Sequence, residues 1–309
     1  MSSGAAVASV EVLINEVGPR DGLQNQAKTL SPEQRLQLIK ALVDAGLGAI
    51  EVGAFVSPKS VPCMAGTDQV IAGLPSTVVK YSALIPNRRG YDMALESGIK
   101  TVNLVVAASN TMNEKNIRMT TAEAMAVSFD VIKQARSDQL SGQAYIATAW
   151  ECPFEGAVPE AVVIELAGQL LAQGAANIVI ADTIGAADPA AVKSLMQKLV
   201  SEYGAEQLSC HFHDTRGMGV ANVYAAVEVG VRSFDASISG LGGCPFAPGA
   251  TGNVATEDVV LMLEQMGFAT GINMNKLLQA ADLASELTGS CLGGHASKWL
   301  RVQAEKGLL

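Results

Sequence analysis

The sequence predicts a (β/α)8 barrel, the TIM-barrel architecture, with additional helices at its C-terminal end. Short β-rich runs alternate with longer segments of helical periodicity, and eight such units occupy about 270 residues, the size expected of this barrel. Alternation of strand and helix indicates parallel strands joined by right-handed crossovers. An open doubly wound sheet is the alternative, but no GxGxxG nucleotide turn follows the first strand.

The eight β-rich runs are expected to form the barrel strands. They are mostly apolar, as strands that are covered by helices on one face should be. In chain order they are Val12–Val17, Ala49–Ala54, Val78–Ile85, Thr101–Ala107, Ala144–Ala149, Asn177–Ala181, Gln207–Phe212 and Ser233–Ser239.

Helices are predicted between the strands. Two of them begin with a proline that follows Ser31 or Asp188, which is the order of a capping residue and a first-turn proline. The helical patterns include Pro32–Ala45, Thr121–Ala135, Pro159–Gln173 and Pro189–Tyr203.

No linker or low-complexity segment divides the chain, so we expect one domain over residues 1–309. The barrel is predicted at about 10–272 and a helical cap at about 273–309. The tail from Asn275 to Leu309 is helical in pattern and is expected to pack as this cap or as a subunit contact.

Composition excludes several classes of function. The formal net charge of −9 argues against nucleic acid as the main partner, because that role normally requires a basic face. The five cysteines are scattered and show no CxxC spacing, which favours a reducing compartment and gives no structural zinc signal. Residues 1–9 show no secretory pattern and no 18-residue apolar stretch occurs, so we expect a cytoplasmic protein without a membrane span.

Polar residues cluster at the predicted C-terminal ends of the strands, where barrels of this kind carry their chemistry. They occur in "GPRDG", "AIEVGAF", "ADTIG", "CHFHD" and the loop "GLGGCPFAPGATGN" after the eighth strand. The residues are Arg20, Asp21, Glu51, Asp182, His211, His213, Cys244 and Asn253.

His211 and His213 indicate a metal site. They are one residue apart on a predicted strand, so their side chains point to the same face. Asp21 is the natural carboxylate ligand, and mixed N and O ligands without a thiolate favour Mg²⁺ or Mn²⁺. Zinc and iron remain open, because two histidines and a carboxylate also form the triad of non-haem iron oxygenases.

Cys244 occupies an unusual position for a cysteine. A structural thiol behaves as a small hydrophobe and is usually buried in a core, whereas Cys244 lies in a loop of glycine and proline. We therefore interpret Cys244 as a functional residue. Cys63, Cys152 and Cys210 are interpreted as packing residues. His295 is interpreted as a surface or cap residue.

The motifs resemble those of the 3-hydroxy-3-methylglutaryl-CoA lyase family of metal-dependent TIM-barrel lyases. "EVGPRDGLQN", "FVSPK", "CPFEG", "DTIG", "HFHDTRG" and "GLGGCPFAPGATGNVATED" match in order and cover most of the chain. Related synthases typically read RDGEQ and are longer, so Leu23 in "RDGLQ" places this chain on the lyase side.

The resemblance implies a set of roles. A divalent cation, Mg²⁺ or Mn²⁺, would be held by Asp21, His211, His213 and Asn253. The implied catalytic residues are Arg20, Asp21, Glu51, Asp182, His211 and Cys244. The implied reaction is retro-Claisen cleavage of 3-hydroxy-3-methylglutaryl-CoA to acetyl-CoA and acetoacetate, a step of leucine degradation, by an enzyme expected to be a homo-dimer or tetramer.

Two departures from the family pattern leave the substrate open. "EVGAF" stands where the family often has "ETTSF", which replaces small hydroxyl groups near the acyl site by Val52, Gly53 and Ala54. Trp150 stands near a strand end where a smaller residue is common. Citramalyl-CoA, or a longer branched 3-hydroxyglutaryl-CoA, is the alternative substrate. Lys59 and residues 86–90 are candidates for holding the CoA phosphates. The alternative is that they form a charge cluster exposed to solvent.

Overall fold

The structure, a computed structural model, describes residues 10–243, 252–290 and 293–309. Within these ranges, parallel strands close into a barrel in the order β1-β8-β7-β6-β5-β4-β3-β2, so each strand pairs with its sequence neighbours and β1 also pairs with β8. The predicted (β/α)8 barrel is confirmed. The strands are β1 (Leu13–Glu16), β2 (Ala49–Ala54), β3 (Lys80–Leu84), β4 (Thr101–Ala107), β5 (Ser141–Ala147), β6 (Asn177–Asp182), β7 (Leu208–Phe212) and β8 (Ser233–Ala236).

Helices surround this barrel. They are α1 (Pro32–Asp44), α2 (Thr67–Ala72), α3 (Arg88–Ser97), α4 (Asn110–Ile117), α5 (Thr121–Ser137), α6 (Glu160–Ala172), α7 (Pro189–Tyr203), α8 (Gly219–Glu228), α9 (Thr256–Gln265), α10 (Met274–Thr288) and α11 (Ser297–Glu305). A small antiparallel hairpin, Glu151–Cys152 with Gly156–Ala157, follows β5. Among the described residues, none of the helices combines the length and apolar character needed to cross a bilayer.

The helix starts predicted from capping residues are confirmed. Ser31 caps α1 through a capping box with Gln34, and Pro32 occupies the first helical position. Asp188 caps α7 by accepting hydrogen bonds from the amides of Ala190 and Ala191.

Several strand boundaries differ from the sequence prediction, by up to three residues, and two of the differences have a local cause. β3 begins at Lys80 because Val78 is fully exposed to solvent. β5 ends at Ala147 rather than Ala149 because Thr148 adopts a positive φ of 54°, which breaks the extended conformation. Thr148 is itself buried and donates its amide to the Thr183 hydroxyl, so the turn is fixed at the end of the strand.

The core lies between the barrel and its helices. α1 buries Leu38, Ile39 and Leu42 completely, and the same continuous apolar cluster includes Phe212 and Phe234 of the strands. α10 packs against α1 and against the turn after β8. The eight strand ends are thereby fixed against a close-packed layer, so the loops that follow them have defined positions.

Candidate active site and metal centre

Arg20 and Asp21 are positioned by a single turn of π-helix, Gly18–Gly22, directly after β1. Two glycines permit this turn. A Cβ at Gly18 would lie 2.6 Å from Glu16 Oε1, and one at Gly22 would lie 2.8 Å from Ser237 Oγ. Single π-turns occur often at functional sites. This one places both side chains at the C-terminal end of the barrel.

Asp21, His211 and His213 lie together at this end of the barrel. Each offers a ligand atom, and the three atoms lie within 4.8 Å of one another. The fourth predicted ligand, Asn253, donates from Nδ2 to Asp21 Oδ2 at 2.8 Å and is paired with His213 across a β-bridge. The structure therefore brings all four predicted ligand residues into one cluster.

The chemistry of these four side chains fits a divalent cation. Burial opposes ionisation of Asp21, but Arg20 and the two histidines outweigh it and lower its pKa to about 2, so the carboxylate is charged. Burial, and then His211, lowers the pKa of His213 to about 4, so its imidazole is neutral. Asn253 Oδ1 and His213 Nδ1 are buried without a hydrogen-bond partner among the described residues. A cation would complete such an N and O donor set.

Asp235 of β8 was not predicted from the sequence, although it contacts a proposed ligand. Its Oδ2 lies 3.0 Å from His211 Nδ1, and Asn15 Nδ2 donates to its Oδ1 at 2.8 Å. This pairing leaves His211 Nε2 to face the cluster. Burial alone would lower the pKa of His211, but Asp235 and then Asp21 hold it above its ordinary value. Because the pKa of His211 is raised, protons compete more strongly with a cation for this side chain.

Arg20 is buried and held by two carboxylates. Its Nε donates to Glu51 Oε2 at 2.5 Å and its Nη1 to Asp21 Oδ1 at 2.7 Å. Glu51 is held in turn by Asn103, whose Nδ2 donates to Oε1 at 2.9 Å. Burial raises the pKa of Glu51, and the neighbouring Arg20 opposes this. The guanidinium is thus fixed beside the proposed ligands and stays charged.

Asp182 lies at the end of β6, as predicted, but its carboxylate is engaged by its own loop. It accepts hydrogen bonds from the amides of Ala186 at 2.8 Å and Ala187 at 3.0 Å. Burial raises its pKa, while these two hydrogen bonds lower it. Its contacts support a role in shaping the loop after β6, at the edge of the cluster.

Tyr145 is a second residue that sequence reasoning missed. Its ring packs edge-on against His211 at 6.3 Å between centroids, and burial holds the pKa of its hydroxyl well above the ordinary value. The phenol is therefore a proton-bearing neighbour of the cluster. A tyrosine in the middle of an apolar strand was the only sequence signal.

Cys244 lies outside the described residues. The described chain before it is held by Asn253, whose Nδ2 donates to Leu241 O at 3.1 Å, and by Asn25, whose Nδ2 donates to Gly243 O at 2.8 Å. On the other side, a Cβ at Gly252 would lie 2.2 Å from Gly240 O, so only glycine permits this approach. Cys63, Cys152 and Cys210 are buried free thiols, and burial raises the pKa of Cys63.

Gly53 and Trp150, the two departures from the family pattern, contact residues outside the ligand cluster. The pairing register of β2 with β3 shifts between Glu51 and Gly53. A Cβ at Gly53 would lie 2.5 Å from Arg35 Nη2. Arg35 is completely buried and donates to Val52 O, so the absent side chain at position 53 makes room for this arginine in the helix layer. Trp150 packs on Phe212, which alternates with the two histidines and points away from them. Gly53 therefore adjoins the helix layer, and the effect of this position on substrate choice stays a prediction.

The barrel, the mixed N and O cluster at its C-terminal end and the buried arginine beside it define a class: a TIM-barrel enzyme with a candidate site for a divalent cation. Comparison with known families makes this more specific. The model of the HMGL-like family matches residues 11–284, and the chain belongs to that family.

Three relatives that carry different lyase names are similar to this chain. A hydroxymethylglutaryl-CoA lyase of Bacillus subtilis is 42% identical over 91% of this chain and 95% of its own length. A 3-hydroxy-3-isohexenylglutaryl-CoA/hydroxy-methylglutaryl-CoA lyase of Pseudomonas aeruginosa is 40% identical over 95% of this chain and 98% of its own length. An (R)-citramalyl-CoA lyase of Chloroflexus aurantiacus is 40% identical over 90% of this chain and 91% of its own length.

A solved structure is also similar. The HMG-CoA lyase of Acinetobacter baumannii, in complex with coenzyme A and 3-methylmalate, superposes with a TM-score of 0.91. The two chains are 40% identical, and the match covers 95% of this chain and 96% of the other. The enzyme class and the fold are therefore those predicted from the motifs.

Proposed function

We propose that this enzyme is a divalent-metal-dependent carbon–carbon lyase that cleaves 3-hydroxy-3-methylglutaryl-CoA to acetyl-CoA and acetoacetate. The observation that carries the proposal is the cluster of Asp21, His211, His213 and Asn253 with Arg20 hydrogen-bonded to its carboxylate. The names of the relatives support the substrate class.

The reaction breaks the bond between C2 and C3. The 3-hydroxyl loses its proton and becomes the ketone of acetoacetate, while the bonding electrons move onto the thioester carbonyl as an enolate. C2 then takes a proton to give acetyl-CoA. A bound Mg²⁺ or Mn²⁺ would supply positive charge beside the substrate oxygens and fix their orientation.

Arg20 would stabilise the enolate oxygen. Its Nε and Nη1 are engaged by Glu51 and Asp21, so the guanidinium has a fixed position before the substrate arrives. Donors that are already oriented toward developing charge need no reorganisation in the transition state. Glu51 and Asp182 would support this arrangement without contacting the enolate, and Tyr145 would keep its proton nearby.

Cys244 would protonate C2. An unperturbed thiol has a pKa of about 8.5 and is mostly protonated at neutral pH, so it can act as this acid. Support for the role comes from the family resemblance and from the described ends of its loop, which lie beside Asn25 and Asn253.

Citramalyl-CoA and longer branched 3-hydroxyglutaryl-CoA thioesters are the alternative substrates. The names of the Chloroflexus aurantiacus and Pseudomonas aeruginosa relatives favour this alternative. The contacts of Gly53 remove one reason for it, because that position faces Arg35. Val52 and Ala54 still favour it, because they lack the hydroxyl groups that the family often has at these positions.

CoA binding, the oligomeric state and the cellular role of the enzyme are also proposed. We propose that CoA is held by basic residues such as Lys59 and Arg89, whereas Arg88 is engaged by Asp92 at 2.9 Å and by the ring of Tyr91. A homo-oligomer in the cytoplasm with a role in leucine degradation is proposed on the family resemblance.

A panel of acyl-CoA thioesters tests the proposal. Release of acetyl-CoA is measured from the 3-methyl, isohexenyl and citramalyl substrates, with Mg²⁺, with Mn²⁺ and after exhaustive chelation. We expect activity on at least the 3-methyl substrate, its loss on chelation and its recovery with either cation. Turnover that survives chelation would contradict the metal centre, and consumption of oxygen would favour an iron oxygenase.

A further inference from the structure

The segment of residues 293–297, which we call the strap, lies against the first turn of α9 and leads into α11, whose first residue is Ser297. Gly294 N donates to Glu257 Oε1 at 2.9 Å, and Ser297 Oγ donates to the same oxygen at 3.1 Å. The amides of His295 and Ala296 donate to the two oxygens of Asp258 at 2.6 and 2.8 Å. Two carboxylates therefore hold four donors of the strap.

This attachment is buried and tightly packed. Glu257 and Asp258 are 0% and 7% exposed, so these hydrogen bonds are shielded from water. A Cβ at Gly294 would lie 2.5 Å from Asp258 Oδ1, so a larger residue there would push the strap away from the carboxylate. Asp258 accepts from the two amides that directly precede α11, so its carboxylate lies at the N-terminal end of that helix.

His295 carries the strap to a second contact. Its Nε2 lies 2.8 Å from Asp214 Oδ2, although the two residues are 81 positions apart. Asp214 directly follows His213, and its other carboxylate oxygen accepts from Gly219 N at 2.7 Å where α8 begins. Its own amide donates to Gly252 O at 3.1 Å.

The two contacts of the strap meet the two chain segments that bear proposed ligands. Asp214 belongs to the segment after β7 that carries His213. Glu257 and Asp258 lie in the first turn of α9, which begins at Thr256, shortly after Asn253. The strap thus connects these segments from outside the ligand cluster.

We propose that the strap is a positioning element of the metal centre: it holds the His213 and Asn253 segments at the separation that a bound cation requires. The inference rests on the proposed function for the existence of that centre. Chelate affinity depends on ligands that are oriented before the cation arrives, and residues beyond the direct ligands commonly supply this orientation.

His295 allows the role to be tested without unfolding the protein. Its side chain is 78% exposed, so its hydrogen bond to Asp214 adds little to global stability. Mn²⁺ binding is titrated calorimetrically on wild type, His295→Ala, His295→Gln and Lys298→Ala. Gln offers an amide donor close to the position of Nε2, and Lys298 is an exposed neighbour on α11.

We expect His295→Ala to raise the Kd for Mn²⁺ about threefold to tenfold, below the 10–100-fold that is typical when a direct partner of a ligand is lost. Turnover at saturating Mn²⁺ should fall by less than the affinity does. His295→Gln should restore most of the affinity, and Lys298→Ala should bind as wild type. Gly294→Val, which displaces the strap from Asp258, should weaken binding further.

An unchanged Kd in His295→Ala, with wild type binding Mn²⁺, overturns the strap while leaving the proposed function intact. Absence of Mn²⁺ and Mg²⁺ binding by wild type overturns both, and the wild-type titration identifies that case. Thermal midpoints measured without cation show whether Gly294→Val is folded. If it is not, the His295 pair of variants decides the result.

Discussion

Arg20 is enclosed by Glu51 and Asp21, and its position is therefore set before any substrate binds. If it stabilises an enolate oxygen, Arg20→Gln should lower kcat on the order of 10²–10³-fold with a much smaller change in KM. The variant also leaves the buried Glu51 and the partly buried Asp21 without their guanidinium partner, so its thermal midpoint has to be measured first. A raised KM with normal kcat would show that Arg20 only binds substrate.

Cys244 is the residue whose role depends most on the family resemblance. We expect Cys244→Ala to retain the fold and cation binding but to lose orders of magnitude in turnover, because the carbanion would lack its acid. Alkylation of the thiol should inactivate the enzyme, and a substrate analogue should slow that inactivation.

Cys152→Ala is the matched control, because Cys152 is a buried thiol in a small apolar cluster with Met112 and Ala147. It should stay active. Normal turnover in Cys244→Ala together with an inactive but folded Cys152→Ala would reverse the assignment of the acid.

Asp235 orients His211 through the hydrogen bond to Nδ1. Asp235→Asn keeps the size of the side chain but removes its charge, so His211 becomes a weaker ligand. We expect the Kd for Mn²⁺ to rise on the order of tenfold. Asn15→Ala, which removes the other partner of Asp235, should have a smaller effect. Equal affinity in Asp235→Asn and wild type would exclude this role.

At the scale of elements, Glu16 joins the end of β1 to the turn after β8 and to α9. Its Oε1 accepts from the amides of Gly18 and Ile238 at 2.7 and 2.8 Å, and its Oε2 accepts from Thr256 Oγ1 at 2.7 Å. Burial outweighs these three hydrogen bonds and raises its pKa from 4.5 to about 7. Between pH 4.5 and about pH 7, Glu16 therefore keeps a proton in the folded protein that it releases in the unfolded chain.

Because the folded-state pKa of Glu16 is raised, its contribution to stability is complete below pH 4.5 and is lost as pH rises to about 7. The full difference is on the order of 3 kcal/mol. Glu16→Gln removes this titration, so the stability of wild type relative to the variant should fall between pH 5 and pH 8. Chemical denaturation across that range measures it, and a constant difference would contradict the raised pKa.

The elements themselves were largely predictable. Apolar runs and strand–helix alternation located the strands because each is buried between the barrel interior and a helix. The exceptions have local causes. Thr148 ends β5 early through its positive φ, and the register shift at Gly53 turns that position toward Arg35. Neither a backbone outlier nor a bulge leaves a clear mark in a hydrophobicity pattern.

The candidate site was predictable where its residues form motifs. Arg20, Asp21 and the two histidines stand in short polar stretches at strand ends, and the barrel brings such ends together. Asp235 and Tyr145 were missed because each is a single polar residue in an apolar strand, and its partner lies far along the chain. His295 was assigned to the surface, and only the structure pairs it with Asp214.

At the scale of the whole molecule, the barrel wall is unevenly bonded. β4 and β5 pair along their whole lengths, Thr101–Ala107 with Ser141–Ala147. By contrast, β1 and β2 pair only at Asn15–Ala49 and Glu16–Ile50, and β7 and β8 only at Cys210–Phe234 and His211–Asp235. β1 and β8 pair along their whole lengths, and the proposed ligands Asp21 and His211 lie on opposite sides of the sparse β7–β8 pairing.

This asymmetry has a consequence for hydrogen–deuterium exchange. Amides of β1 and β8 should exchange faster than those of β4 and β5, because fewer ladder bonds must open. Mn²⁺, which would join Asp21 to His211 across that wall, should slow exchange in β1, β7 and β8 selectively. Mass spectrometry of peptic fragments measures this, and uniform slowing would refute it. The cation would then act as a cross-link between β1 and β7, and its protection would be greatest where the backbone ladder alone holds the strands least, at the two residue pairs of β7 and β8.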